Sequence, residues 1–186
     1  ELVKLLTSDH PEEMRAVYES GLSHVFLPEF DAMMQTPQHT IHHQYSVGEH
    51  TIHAIMGVPP DRILRLTMLF HDIGKPQCRT TDADGIDHFH GHPEVGAEMT
   101  GQILHRLKFD NDLRPALTKK SIRRSMVKMG LECFPQIFTV KRADALAQST
   151  YMRAEKLEAI DRFEELYEEI LADHACIQKK DLAING

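Results

Sequence analysis

Apolar residues recur at helical spacing along nearly the whole chain. Leu2, Leu5 and Leu6 begin the pattern, and a Gly or a Pro marks most places where one stretch stops. Residues 22–44 break the period and are predicted to form short helical turns and loop. The predicted helices are residues 1–7, 11–20, 46–56, 61–73, 92–107, 118–129, 132–149 and 152–175.

Two of these helices carry clear end signals. Ser46 followed by Glu49 predicts a capping box where the helix begins. Helix 61–73 has apolar residues on most sides, so it is predicted to be buried at the centre. Gly74 is predicted to end this helix in the left-handed conformation, and Pro76 to prevent its continuation.

One stretch departs from the helical period. Residues 77–90 contain Asp84-Gly85, a dipeptide typical of a tight hairpin turn, and the next helix begins at His92. The chain shows neither repeats nor a flexible linker. The sequence therefore predicts an all-α helical bundle with a small β-hairpin insertion.

The overall charge narrows the range of functions. The chain has 21 Lys and Arg against 28 Asp and Glu, a formal charge of -7, so nucleic-acid binding would require a local basic patch. Three cysteines without a CxxC pair argue against a disulfide scaffold or a thiolate zinc site. Without a membrane span or a signal peptide, a cytoplasmic protein with no membrane partner is predicted. The chain begins without Met, and we expect it to be a piece of a longer protein.

Histidine is unusually abundant, with 13 residues, and it is the commonest metal ligand in proteins. His71 and Asp72 lie side by side at the predicted end of helix 61–73, where the helix dipole favours a bound cation. Lys75 is placed to hold a phosphate. A hydrogen bond between His71 and Asp72 that only finishes the helix is the alternative, and these residues alone leave both open. The neighbouring histidines are His39, His42, His43, His50, His53, His88, His90 and His92.

Further metal ligands must come from other helices. His50 and His53 lie about one turn apart on predicted helix 46–56. Asp144 lies among Ala and Leu on a later helix, where a carboxylate is costly to bury unless it is paired. An ion pair with Arg142 or another surface cation is the alternative role for Asp144.

The order of His50, His71-Asp72 and Asp144 resembles the pattern of the HD-domain metal-dependent phosphohydrolases, in the HDIG subgroup. A longer ordered set of motifs lies at residues 45–51, 71–76, 84–89, 91–97, 123–124, 141–148 and 181–186. This set resembles the HD-containing part of bacterial tRNA nucleotidyltransferases (CCA-adding enzymes) and their poly(A)-polymerase-like relatives. The resemblance covers nearly the whole chain.

The resemblance implies a role for each matching residue. The implied metal ligands are His50, His71, Asp72 and Asp144. Asp72, Lys75 and His92 are implied to be catalytic, with Lys75 and His92 offsetting charge on a phosphate. His92 also matches a histidine that helps to bind a second ion in two-metal relatives. His43 resembles a histidine near the mouth of the site.

The resemblance also implies a domain organisation and a chemistry. Residues 1–37 correspond to a helical lead-in, and residues 38–186 to an HD-domain helical bundle. Nitrogen and oxygen ligands without sulfur suit Mn²⁺, Fe²⁺, Ni²⁺, Co²⁺, Zn²⁺ or Mg²⁺. Such an ion would activate water to hydrolyse a phosphomonoester or a 2′,3′-cyclic phosphodiester. The expected partner is a phosphorylated nucleotide or an RNA end.

Two departures from the family pattern limit this interpretation. Family members usually carry another helix, often with its own His-Asp pair, between the segments that are here 109–112 and 114–118. Leu113 joins these segments directly, which favours one ion over two. The transferase head is also missing: Asp82 and Asp84 spell DxD, but no Gly-rich loop precedes them, and they are predicted to serve a turn.

Two other functions are compatible with the same sequence. Lys120, Arg124 and Lys128 recur on one face of predicted helix 118–129 and could follow the phosphates of a tRNA. The chain would then be a catalytically weak module that binds tRNA or supports the nucleotidyltransferase head, although such a run is also typical of a solvated surface. A hydrolase that regulates nucleotides such as guanosine tetraphosphate shares the scaffold, but no pocket residues specific to it are evident.

Overall fold

The predicted helical pattern is reproduced in a computed structural model, which describes residues 1–109 and 134–172. The elements are α1 (Leu2–Leu6), α2 (Met14–Glu19), α3 (Leu22–Phe26), α4 (Pro28–Gln35), α5 (Val47–Met56), α6 (Arg62–Phe70), α7 (Lys75–Cys78), β1 (Thr80–Thr81), β2 (Asp87–His88), α8 (His92–Arg106), α9 (Phe134–Ala147) and α10 (Arg153–Ala172). A short 3₁₀ turn, Pro11–Glu13, precedes α2. The all-α class with a small hairpin is confirmed, and predicted helix 118–129 lies outside the described residues.

The hydrophobic core surrounds α5, which packs against α4, α6 and α9. Ile52 and Ile55 of α5 are fully buried and join one cluster with Leu66 and Leu69 of α6. His50 lies on the same helix and is also fully buried. A polar side chain in such a place requires hydrogen-bonding or charged partners.

The N-terminal helices contribute to the same cluster. Leu6 of α1, Met14 of α2 and Phe30 and Met33 of α4 are all fully buried within it. These helices therefore support α5 from the N-terminal part of the chain. The predicted division of the chain after residue 37 stays a prediction.

The helices α5 and α6 both begin at a capping side chain. Ser46 Oγ accepts a hydrogen bond from the Glu49 amide at 3.2 Å, as the capping prediction requires. The Glu49 carboxylate instead accepts two hydrogen bonds from Arg15, at 2.9 and 2.7 Å, so the second half of the predicted capping box is wrong. Asp61 Oδ1 caps α6 by accepting from two amides of its first turn.

The end of α6 differs from the prediction. The helix ends at Phe70, and residues 71–74 form a turn. Gly74 has φ −82° and ψ −13°, so the predicted left-handed conformation is wrong. Pro76 lies in the first turn of α7, where the missing N–H is tolerated, and it therefore begins a helix rather than preventing one.

Close packing, rather than backbone conformation, requires glycine at position 74. A Cβ there would lie 2.3 Å from the His92 carbonyl oxygen and 2.6 Å from the Gly96 amide nitrogen. The turn after α6 thus lies directly against the first turns of α8. This contact brings Asp72 and His92 into the same region.

Gly74→Ala is expected to lower the free energy of unfolding by about 3 kcal/mol, because the methyl group would overlap backbone atoms that cannot rotate away. Gly101→Ala on α8 is the matched control, since a Cβ there meets nothing within 4 Å. Replacing this helical glycine should raise stability by about 0.5–1 kcal/mol. Urea unfolding measures both changes, and a Gly74 variant as stable as the wild type would contradict the packing.

The hairpin forms around Asp84-Gly85 as predicted. In its register Thr80 pairs with His88 and Thr81 with Asp87. Gly85 has a φ of 79°, which glycine adopts without steric cost. Asp82 Oδ1 accepts hydrogen bonds from the amides of Asp84 and Ile86, at 3.0 and 2.9 Å. The DxD pair therefore serves the turn.

The Asp87 carboxylate ties the hairpin to the loop before α5. It is buried and accepts hydrogen bonds from the His39 amide at 2.8 Å, Thr81 Oγ1 at 2.7 Å and Arg79 Nε at 3.0 Å. Burial alone would raise the pKa of Asp87, but these donors outweigh it and lower the pKa from 3.8 to about 2. The loop that carries His43 is thereby anchored.

Asp87→Asn is expected to cost about 2 kcal/mol of stability at pH 7, since an amide cannot accept from all three donors. The folded-state pKa of Asp87 is depressed, so its contribution is present above pH 4 and is lost as the pH falls from about 4 to about 2. The difference in free energy of unfolding between the wild type and the variant should therefore become smaller as the pH falls over that range. Urea unfolding of both proteins at pH 7 and near pH 3 measures this difference. A difference that does not change with pH would contradict the lowered pKa of Asp87.

Two smaller features complete the fold. Cys78 carries a free thiol, and Cys133 and Cys176 lie outside the described residues. Across residues 1–109 and 134–172, every helix is too short or too polar to cross a membrane.

Candidate metal centre

Four side chains from three parts of the chain form one cluster around His50. His50 comes from the middle of α5, His71 and Asp72 from the turn after α6, and Asp144 from α9. His50 Nε2 lies 3.0 Å from Asp144 Oδ1, 3.2 Å from His71 Nε2 and 3.5 Å from Asp72 Oδ2. His71 Nε2 lies 3.2 Å from Asp72 Oδ2 and 3.7 Å from Asp144 Oδ1. The structure thus brings together the four residues that the sequence predicts as ligands.

The separations between these atoms suit a shared cation. Ligand atoms about 2.1 Å from one ion lie about 3.0–3.4 Å apart in octahedral or tetrahedral geometry. The ligand atoms of His50, His71 and Asp72 all lie within 4.8 Å of one another. Asp144 reaches this group through the two imidazoles. The cluster could therefore hold a metal ion.

The opposite nitrogens of the two imidazoles are hydrogen-bonded to the backbone. His50 Nδ1 lies 3.2 Å from the Ala147 carbonyl oxygen, and His71 Nδ1 lies 2.6 Å from that of Met68. A carbonyl oxygen can only accept, so each Nδ1 carries the proton and donates it. Each Nε2 faces the other proposed ligands, and with a metal ion bound it would offer its lone pair to the ion, as is common in metal-binding histidines.

The charges in the cluster favour a cation. Burial alone would lower the pKa of His71, but the carboxylates of Asp72 and Asp144 outweigh it and raise that pKa to about 10. The pKa values of Asp72 and Asp144 are in turn lowered, because His50 and His71 counteract the effect of burial. The buried carboxylate of Asp72 and the half-buried one of Asp144 stay ionised and attract positive charge to this cluster.

Lys75 lies beside the cluster and is only 6% exposed. Its Nζ lies 2.7 Å from Asp72 Oδ2 and donates a hydrogen bond to Gln38 Oε1 at 2.8 Å. The ring of Phe89 lies 5.3 Å from the same nitrogen. An ammonium group is thus held next to the predicted metal ligands.

His92 approaches Asp72 from the other side. Its Nε2 lies 3.6 Å from Asp72 Oδ1, whereas both other imidazoles and Lys75 face Oδ2. His92 Nδ1 donates a hydrogen bond to the Phe89 carbonyl at 2.7 Å, so its Nε2 is again turned toward the site. The two oxygens of Asp72 therefore face different partners.

The comparison with protein families agrees with this geometry. The sequence profile of the HD domain matches residues 40–165, which include all four predicted ligands. The chain belongs to the HD-domain family. The predicted resemblance to that family is confirmed.

Curated relatives of the HD domain share the same region. The chain is 30% identical over 202 residues to the CC-adding tRNA nucleotidyltransferase of Thermus thermophilus, which covers 98% of this chain and 46% of the relative. It is 41% identical over 93 residues to the A-adding tRNA nucleotidyltransferase of Deinococcus radiodurans, covering 47% and 21%. It is 31% identical over 155 residues to the multifunctional CCA protein of Chromobacterium violaceum, covering 78% and 37%. The chain spans less than half the length of these relatives.

His43 is partly buried and contacts the HD-domain cluster. Its ring packs edge-on against that of His50, with 5.2 Å between the centroids. Burial, and next the charge of Lys75, lower the pKa of His43 to about 3, so this imidazole is neutral near pH 7. An open cleft of about 590 Å³ begins here, lined by residues that include Gln38, His43 and Tyr45.

The structure does not bring His53 to the cluster. It stacks on Tyr45, with 4.4 Å between the ring centroids. Arg142, the alternative partner of Asp144, instead donates hydrogen bonds to Asp161 and Glu164. That alternative for Asp144 is therefore wrong. The predicted RNA-binding residues Lys120, Arg124 and Lys128 lie outside the described residues.

Gln38 is a contact of the site that the sequence did not indicate. It lies in the loop between α4 and α5 and reaches Lys75, 37 positions later. A single polar residue in a loop gives no periodic or motif signal. Only the packing of this loop against α7 shows its place.

Proposed function

We propose that this HD domain is a metal-dependent phosphohydrolase that hydrolyses a phosphomonoester or a 2′,3′-cyclic phosphodiester. One observation carries the proposal. The Nε2 atoms of His50 and His71 face each other and the carboxylates of Asp72 and Asp144, while both Nδ1 atoms are hydrogen-bonded to carbonyl oxygens. A divalent cation satisfies such a set of acceptors, and the ammonium of Lys75 lies beside it to meet an anion.

His50, His71, Asp72 and Asp144 would hold the ion. Their nitrogen and oxygen atoms suit Mn²⁺, Fe²⁺, Ni²⁺, Co²⁺, Zn²⁺ or Mg²⁺. When bound, such an ion supplies Lewis acidity that polarises a phosphoryl oxygen and lowers the pKa of water. We propose a single ion, since His50 Nε2 lies within 3.5 Å of an atom of each of the other three residues.

Asp72 would link metal binding to the chemistry. Its Oδ2 faces the imidazoles and Lys75, and its Oδ1 faces His92. The carboxylate would orient the attacking water by accepting its hydrogen bond. Lys75 and His92 would offset the negative charge that grows on the phosphoryl oxygens during attack.

We propose that the substrate is a phosphorylated nucleotide or RNA end that enters through the cleft beside His43. The cleft is lined by His43 and Gln38, which contact His50 and Lys75 respectively, and its volume exceeds that of a phosphate group. The relatives are named for tRNA, which supports an RNA end as the substrate. Binding of tRNA phosphates by Lys120, Arg124 and Lys128 stays a prediction.

Hydrolysis by the purified chain tests this function. After chelation, the chain is loaded in turn with Mn²⁺, Fe²⁺, Ni²⁺, Co²⁺, Zn²⁺ or Mg²⁺ and supplied with 2′,3′-cyclic AMP or 2′-AMP. We expect turnover with at least one ion and its loss on renewed chelation, because the acceptor cluster requires a cation. Absence of turnover with every ion, in protein that binds metal, would leave a catalytically weak module instead.

A further inference from the structure

The Gln38 side chain has both ends of its amide occupied. It is only 6% exposed, in the loop that leads from α4 to α5. Its Nε2 donates a hydrogen bond to the Tyr45 carbonyl at 3.3 Å, and its Oε1 accepts one from Lys75 Nζ at 2.8 Å. A carbonyl can only accept and an ammonium can only donate, so the two partners fix the orientation of the amide.

Lys75 needs this partner because a lysine side chain is long and flexible. The Lys75 ammonium donates one hydrogen bond, to Gln38 Oε1, and forms an ion pair with Asp72 Oδ2. These two contacts together restrict the position of the ammonium beside Asp72. Without Gln38, the ammonium could rotate about its single ion pair with Asp72.

We propose that Gln38 is a positioning residue that aims the Lys75 ammonium at the phosphate of the substrate. The inference rests on the proposed function, since it assigns Lys75 to phosphate. Gln38 acts through Lys75 and leaves the metal ligands unaffected. Its loop also borders the cleft, so the residue that aims the ammonium lies where substrate would enter.

The test uses Gln38→Met, Lys75→Met and the double variant, all in the full chain loaded with the active metal. Gln38→Met keeps the length of the side chain and removes both hydrogen bonds. We expect the Kd for inorganic phosphate to rise about 10-fold and kcat to fall by a similar factor, while the metal Kd changes by less than about 2-fold. When Lys75 is already replaced by Met, Gln38→Met should have no further effect, because the ammonium that Gln38 positions is absent.

A matched control is Gln102→Met, which makes the same replacement at an exposed position on α8. It should leave phosphate binding and turnover at wild-type values. An equal loss from Gln38→Met in both backgrounds, or wild-type phosphate affinity in Gln38→Met, would overturn the inference. If the wild type binds phosphate through Gln38 and Lys75 but turns over no ester, the proposed function fails and the positioning role stands.

Discussion

Asp72→Ala is expected to lose metal-dependent hydrolysis, with kcat/KM falling about 10³-fold or more. This carboxylate lies within 3.6 Å of an atom of each of His50, His71, Lys75 and His92. Removing it takes away a metal ligand and the ion-pair partner of Lys75 together. Steady-state kinetics on 2′,3′-cyclic AMP at saturating metal measures the loss.

Asp84→Ala is the matched control for this variant. Asp84 lies exposed at the tip of the hairpin, and its backbone amide, rather than its side chain, bonds to Asp82. Its replacement should leave kcat/KM within about 2-fold of wild type. Circular dichroism shows whether each variant is folded. A folded Asp72→Ala protein with full activity would contradict the proposed scheme.

The second large effect is stabilisation by metal. A divalent ion at about 100 times its Kd should raise the free energy of unfolding by about 2.7 kcal/mol, because it binds the folded cluster and not the unfolded chain. His50→Ala should abolish this increase, since His50 contacts every other proposed ligand. Thermal unfolding with and without the ion measures the increase in each protein.

His53→Ala is the control, one helical turn along α5. His53 stacks on Tyr45 and lies outside the cluster, so its loss can lower stability but should leave the metal-dependent increase intact. Each variant is compared with its own metal-free form, which separates metal binding from packing. An increase of the same size in His50→Ala and His53→Ala would argue against the cluster.

The four residues of the cluster could be predicted from the sequence because each lies within an ordered motif. His71-Asp72 marks the pair directly, and His50 and Asp144 occupy matching positions on other helices. The ring nitrogen that carries the proton in His50 and His71 could not be predicted. The His50 Nδ1 proton depends on the carbonyl of Ala147, which lies 97 residues further along the chain, and only the packing of α9 on α5 brings it there.

The local rules failed where tertiary contacts dominate. Gly74 and Pro76 together predict the end of a helix. In the structure, however, Gly74 is needed because the backbone of α8 leaves no room for a Cβ, and Pro76 lies in the first turn of α7. Similarly, Glu49 fits a capping box, but the bidentate contact with Arg15 replaces its second half. For Gly74 and Glu49, a residue distant in sequence supplies an interaction that no local pattern contains.

The most direct measurement of the central claim is a Mn²⁺ titration followed by electron paramagnetic resonance, which detects the free ion. The four converging ligands predict that the wild-type chain removes one Mn²⁺ per molecule from solution. They also predict that a chain with both His71→Ala and Asp72→Ala removes none at the same concentrations. Equal uptake by the two proteins would contradict a metal centre at His50, His71, Asp72 and Asp144.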